Sequence, residues 1–303
     1  MRRSISVLLT ITALVVVAAA ASASAQQLPV IYNGALGYAH ASPTASPPGA
    51  NDWSCRPSAA HPRPVVLVHG TFADMADSWQ ALSPLLHNHG YCVFALNYGA
   101  HGGSEAAGVY AVGDIAESAA QLSAFVDQVL AATGAGKVDL VGHSQGGMMP
   151  RYYLKHLGGA AKVHTLVGLA PSNHGTTLNG LFTLAGFLPG ANAFTGSLCP
   201  ACEQQSAGSP FLTELNSGGE TVPGIDYTVI ESRYDEIVTP YTSAFLSGPD
   251  VNNVLLQSQC PLDLGEHLSM PYDHIADADV LTALDPLHPV HPPCTPIAPV
   301  AGG

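Results

Sequence analysis

A serine hydroxyl is a poor nucleophile at neutral pH; it needs a base to take its proton and an acid to orient that base. Ser144 stands in Gly142-His143-Ser144-Gln145-Gly146, with Gly147 next. In a chain with 31 glycines among 303 residues, a bare G-x-S-x-G is weak evidence. Context gives it weight. A strand-like apolar run, 138–141, leads into it, and a helix-capable segment, 148–157, follows. In that setting the turn is so tight that the serine is driven towards strained backbone angles. Side chains two before and two after it clash, and both positions are glycine. The hydroxyl is then held proud of a sheet, at a helix N-terminus.

Partners for such a serine follow it in the order acid, then histidine. Asp235 lies just after a strand-like run, 227–230, at the end where the acid is needed. Asp226 precedes that run, on the wrong edge of the sheet, while Glu231 and Glu236 are near rivals. The base is expected in the loop after the last strand, 251–256, and His267 sits there. His274 is its rival; His288 and His291 fall in a proline-rich tail, too far from the strand ends. Acyl transfer also needs donors for an oxyanion. One is the backbone N–H of Gln145. The other is expected from the loop His69-Gly70-Thr71-Phe72, at Thr71, whose hydroxyl adds a further donor. His69 precedes the serine, against chain order, and reads as a structural hydrogen-bonding residue. Fourteen histidines make their number uninformative, and no H-E-x-x-H or similar ligand spacing occurs. Hence no metal and no cofactor is implied. Asp273, Asp277 and Asp279 read as a solvated helix face rather than a calcium site.

The elements that position these residues alternate. The run 65–68 is apolar throughout, as in a strand buried on both faces of a parallel sheet. Asp77 or Ser78 is placed to cap a helix carrying Trp79, Leu82, Leu85 and Leu86, ended by Gly90. A strand at 91–96 and a glycine-rich loop at 97–103 follow. Asp114 opens a helix to about residue 132, with Ile115, Ala119, Leu122, Val126 and Val129 at helical spacing. After the serine comes another strand, 163–169. The stretch 172–216 is apolar, studded with glycine and short of charge; it reads as a helical cap inserted over the site. A final helix covers 275–284. Strand–helix alternation predicts an α/β fold: a doubly wound, mostly parallel sheet with a small helical cap. The expected boundaries are a leader at 1–25, an N-terminal arm at 26–64, the α/β domain at 65–285 with the cap inside it, and a proline-rich tail at 286–303.

The leader has Arg2 and Arg3, an apolar run at 5–20 and Ala23-Ser24-Ala25, the pattern of a cleaved secretory signal. The apolar run is short for a membrane anchor and lacks a stop-transfer cluster. Cleavage after Ala25 leaves 278 residues with seven basic side chains against 22 acidic, a formal −15 against −13 for the whole chain. That acidity argues against nucleic acid and anionic membrane surfaces as partners. No other run approaches spanning length, and the expected state is a secreted monomer. All six cysteines follow the leader, which implies disulfides in an exported protein. Fifteen pairings are possible. Proximity suggests Cys199–Cys202, Cys260–Cys294 and Cys55–Cys92; a redox-active C-x-x-C at 199–202 is disfavoured, since no βαβ unit surrounds it.

Four stretches together resemble the secreted bacterial triacylglycerol lipases of the class 2 type: Val68-His69-Gly70-Thr71-Phe72-Ala73, Gly142-His143-Ser144-Gln145-Gly146-Gly147, Tyr234-Asp235-Glu236-Ile237-Val238-Thr239-Pro240, and the loop from Cys260 to His267. The chain is more distantly similar to yeast lipases of the B type, which share an Asp-Glu-Ile-Val element and Ser-Gln-Gly-Gly. The resemblance spans roughly residues 53–294. It implies an α/β-hydrolase fold, with Ser144 as nucleophile, Asp235 as acid, His267 as base, and Thr71 and Gln145 as oxyanion donors. It also implies carboxylic-ester substrates with acyl chains, lipids among them, with an oil–water interface as one place where this protein would meet them. Two rival readings stand beside it: a cutinase-like hydrolase of polyesters, and a catalytically silent fold used for binding.

Overall fold

Six apolar runs form one sheet because each can bury both faces between helices. A computed structural model describes residues 27–33, 42–188 and 190–303. The leader at 1–25 lies outside the described residues. The strands are β1 (Val65–Val68), β2 (Val93–Leu96), β3 (Val138–His143), β4 (Val163–Leu169), β5 (Asp226–Glu231) and β6 (Val251–Leu255). Their order is β2-β1-β3-β4-β5-β6, and every pairing is parallel. This is the α/β-hydrolase fold. Parallel strands put all their C-terminal ends on one edge, so the loops after β1, β3, β5 and β6 meet there.

Alternating strand residues feed two cores. Val66 and Val68 of β1 pack with Phe94 and Leu140 under α3 (Ile115–Thr133) and α4 (Gln145–His156). Val65 and Leu67 face the other layer, with Trp79, Leu82 and Leu86 and with α9 (His274–Leu284). Each fully buried Leu or Val contributes roughly 1.5–3 kcal/mol, so these layers hold the sheet that carries the site. Asp114 caps α3 by accepting from the Glu117 N–H at 2.9 Å, and Ile115, Ala119, Leu122, Val126 and Val129 are all buried.

Several local expectations change. The first helical region is two short helices, α1 (Met75–Ser78) and α2 (Leu82–Asn88), and its N-cap is Asp74 rather than Asp77 or Ser78. Backbone geometry turns at Trp79 (φ −125°, ψ 29°), which lets the indole enter the core. Helix α4 starts directly after Ser144, not at residue 148. Gly146 and Gly147 form its first turn; their poor helix propensity masks the start. After β6 the chain forms a short α8 (Leu256–Gln259). Asp273 and Asp277 do not lie on a solvated face: both are fully buried. Asp273 caps α9, accepting from the Ile275 and Ala276 N–H groups, and the end of the chain covers it, with His274 N–H donating to the Gly303 carbonyl.

Three disulfides join Cys55–Cys92, Cys199–Cys202 and Cys260–Cys294. Trp53 lays the N-terminal arm against Phe94 and Phe125. Between β4 and β5 stand α5 (Leu178–Phe187), α6 (Pro200–Gln204) and α7 (Pro210–Asn216). No helix among the described residues is long and apolar enough to cross a membrane.

Candidate active site

The strand-to-helix turn after β3 holds Ser144 at φ 55°, ψ −123°. A non-glycine residue at positive φ is strained and persists only where its surroundings hold it. Those surroundings are backbone. A Cβ on Gly142 would collide with the Gly146 carbonyl, and one on Gly146 with the Val68 and His69 carbonyls. The Ser144 N–H donates to the Leu169 carbonyl at 2.9 Å. Both glycines of the motif are therefore required by closeness, not by flexibility alone.

Loops from β5 and β6 bring Asp235 and His267 together. His267 Nδ1 lies 2.8 Å from Asp235 Oδ2, and both side chains are fully buried. The other oxygen, Oδ1, accepts from the Ile237 and Val238 N–H groups at 2.8 and 2.7 Å. Those two donors fix the carboxylate so that Oδ2 faces the ring, and Nδ1–H is the donor in this pair. Burial pulls the His267 imidazole down, but the Asp235 carboxylate together with Glu236 and Glu266 outweighs it and the net shift is upward. Nε2 of His267 is buried with no partner among the described residues.

His143, beside Ser144, ties the serine turn to this histidine. Its Nε2 lies 2.8 Å from the His267 carbonyl, and the two rings are 4.8 Å apart. A carbonyl only accepts, so His143 Nε2 carries the proton. Burial, then the neighbouring His267, holds its imidazole well below the usual range, so it stays neutral. Ser232 Oγ donates to the Gly265 carbonyl, which joins the loops after β5 and β6 once more.

The loop after β1 supplies Thr71. Tyr98 donates to the His69 carbonyl at 2.7 Å, and the His69 ring stacks on Tyr98. Burial lowers His69 to about 4, so it is a neutral structural side chain. The Gln145 side-chain amide reaches across to Thr71 Oγ1 at 3.0 Å and to the Ala111 carbonyl at 2.9 Å. Backbone N–H groups of Thr71 and Gln145 find no acceptor among the described residues. Above them opens a pocket lined by Thr71, His143 and Ser144 at its floor and by Leu184, Leu188, Leu268 and Pro271 at its walls. Helix α5 contributes Leu184, and Leu188 follows directly after its last turn. Thr177 caps it by accepting from the Gly180 N–H, and Thr176 Oγ1 donates to the Ile237 carbonyl of the acid loop.

Residues 62–270 match the family model described as Lipase (class 2). The chain belongs to the class 2 lipase family. It is 43% identical over 94 residues to a triacylglycerol lipase of Pseudarthrobacter phenanthrenivorans, a stretch covering 29% of this chain and 27% of that protein. A triacylglycerol lipase of Burkholderia plantarii matches at the same identity over 94 residues, 29% of this chain and 24% of its own length. The matched stretch thus spans about a quarter of these curated relatives. Among solved structures, Aspergillus fumigatus lipase B superposes with TM-score 0.57 at 20% identity, over 89% of this chain and 64% of that one. The mature form of a Bacillus licheniformis lipase gives 0.55 at 16% identity, over 76% and 94%. At these identities the structures speak for the fold.

In this member of the family the rival residues separate from the site. Asp226 opens β5 and is exposed, at the opposite edge of the sheet from Asp235. His274 is spent on the Gly303 carbonyl, and His288 pairs with Asp285. Glu231 is buried beside Asp235; burial and then that carboxylate push it well above the usual range, so it is protonated and not a competing anion. Two residues escaped the sequence reading. Gln205 donates to Thr71 Oγ1 at 2.9 Å, and Ser172 donates to Gln205 Oε1 at 2.9 Å. Both sit in a stretch with no motif, and no local signal marks them.

Proposed function

We propose that this chain is a secreted serine hydrolase of carboxylic esters, with lipid esters as substrates. The observation that carries the reading is the buried Asp235–His267 pair, its Nε2 without a partner among the described residues, tied through His143 to a serine held at φ 55°. Ser144 attacks the ester carbonyl while His267 Nε2 takes its proton. Thr71 and Gln145 stabilise the tetrahedral oxyanion through their N–H groups. His267 then protonates the leaving alcohol, the acyl group stays on Ser144, and water repeats the cycle to release the acid. Asp235 holds the imidazole tautomer and stabilises the imidazolium. Family membership and the triacylglycerol lipases that match part of the chain support this substrate class. The apolar walls from α5 suit an acyl chain, and residues 172–216 act as a cap. Three disulfides and the leader pattern support an exported protein.

Ser144→Ala is expected to lose hydrolysis of a soluble p-nitrophenyl ester and of emulsified triolein, while keeping the wild-type circular dichroism spectrum. A fluorophosphonate should label the wild type at Ser144 and leave the variant unlabelled. Wild-type rates in the purified variant would reject the assignment.

A further inference from the structure

A threonine hydroxyl has one proton to give and two lone pairs with which to accept. Thr71 Oγ1 receives two amide nitrogens, Gln145 Nε2 at 3.0 Å and Gln205 Nε2 at 2.9 Å. The orientation of both amides is set by groups that can only accept. Gln145 Nε2 also donates to the Ala111 carbonyl, and Gln205 Nε2 to the Ala201 carbonyl at 3.3 Å. Ser172 Oγ occupies the remaining end of the second amide, donating to Gln205 Oε1. Both lone pairs of Thr71 are therefore taken. Its proton has no acceptor among the described residues, although the side chain is buried and lines the pocket that holds Ser144.

We propose that Gln205, oriented by Ser172, is a positioning residue that makes the Thr71 hydroxyl a donor only and turns its proton towards the oxyanion formed at Ser144. The inference rests on the esterase reading above and deepens it. A hydroxyl with a free lone pair facing the pocket would present negative density where the oxyanion grows. Two fixed amides remove that option before substrate arrives, which is the preorganisation that lets a donor stabilise a transition state without rearranging. Gln205 is fully buried, and its carbonyl accepts from the Thr176 N–H at 2.9 Å, so its own position is held by the chain that leads into α5. Gln145 joins both parts of the site: its N–H is one donor and its side chain sets another.

Gln205→Glu inverts the contact. The introduced carboxylate accepts the Thr71 proton and withdraws it from the pocket. On a soluble short-chain ester, kcat is expected to fall about 10²-fold, the scale of one lost oxyanion donor, with KM within twofold. Thr71→Val should give a similar fall, the double variant no further loss, and Thr71→Ser near-wild-type kcat. Affinity for a trifluoromethyl ketone should fall in step with kcat. Gln205→Met, which removes the donor without adding charge, serves if the glutamate variant fails to fold. Unchanged kcat in Thr71→Val, additive losses in the double variant, or a change confined to KM would each overturn the proposal. A wild type that is labelled by fluorophosphonate and hydrolyses esters, with indifferent Gln205 variants, removes this inference alone. A wild type with neither property removes both.

Discussion

At the residue scale the site depends on one imidazole whose charge state is set by opposing effects. Burial is the largest single effect and disfavours the His267 cation, but the Asp235 carboxylate at 2.8 Å, Glu236 and Glu266 together outweigh it, so the group titrates above the ordinary histidine value of about 6.5. A general base must be neutral to accept the serine proton. The acid limb of kcat/KM on a soluble ester is therefore expected above pH 6.5, with activity lost below it. A pH–rate profile with its acid limb at or below 6.5 would contradict the pairing. His143 does not confuse the profile, because burial and its neighbour keep it neutral throughout.

At the element scale, α9 carries an electrostatic load that its sequence conceals. Both carboxylate oxygens of Asp277 are buried without a partner among the described residues, and Asp273 lies one turn before it. Burial, then repulsion from Asp273, raises Asp277 well above the usual carboxylate range. Asp273 itself is pushed to about 8, by burial and then by Asp263. A carboxyl whose folded pKa is raised binds its proton more tightly in the folded state. Its stability is complete below the unfolded value of about 4 and is lost as pH rises through the folded one. Asp277→Asn keeps the shape and removes the ionisation. It is expected to raise the melting temperature more at pH 8 than at pH 5, and hardly at all below about pH 4, as differential scanning calorimetry would read. An equal effect at both pH values would show that Asp277 does not ionise in this range.

At the scale of the whole molecule, the end of the chain braces the loop that bears His267. Cys294 is bonded to Cys260, Asp263 bridges to Ile297, and the Val300 N–H donates to Glu266 at 2.7 Å, next to His267 in sequence. The Cys260–Cys294 link closes a loop with a sequence separation of 34. Closing such a loop restricts the unfolded chain by about 3–4 kcal/mol in the chain-entropy account. The Cys260→Ser/Cys294→Ser variant is expected to unfold at lower urea, with faster amide exchange across residues 260–274. An unchanged midpoint would mean that the tail packs equally well without its bond.

The sequence by itself determined what depends on neighbours along the chain. The serine turn was legible because its two glycines are demanded by backbone atoms only a few positions away, or by the adjacent strand. Apolar runs of strand length and the 3.6-residue spacing of α3 disclosed the sheet and its layers, since burial imposes those periods directly. That Asp235 and His267 meet could be expected from their places after particular strands, because a parallel sheet sends every strand end to one edge. Tertiary structure alone decided the rest. The start of α4 was hidden by Gly146 and Gly147, which the close approach of strands requires and helix propensity disfavours. Asp277 reads as a surface charge until the packing of α9 against the rest of the fold buries it. Gln205 meets Thr71 across 134 residues, and a hydrogen bond between single side chains leaves no period and no motif in the sequence. Such contacts exist only once the sheet has brought its loops to a common edge.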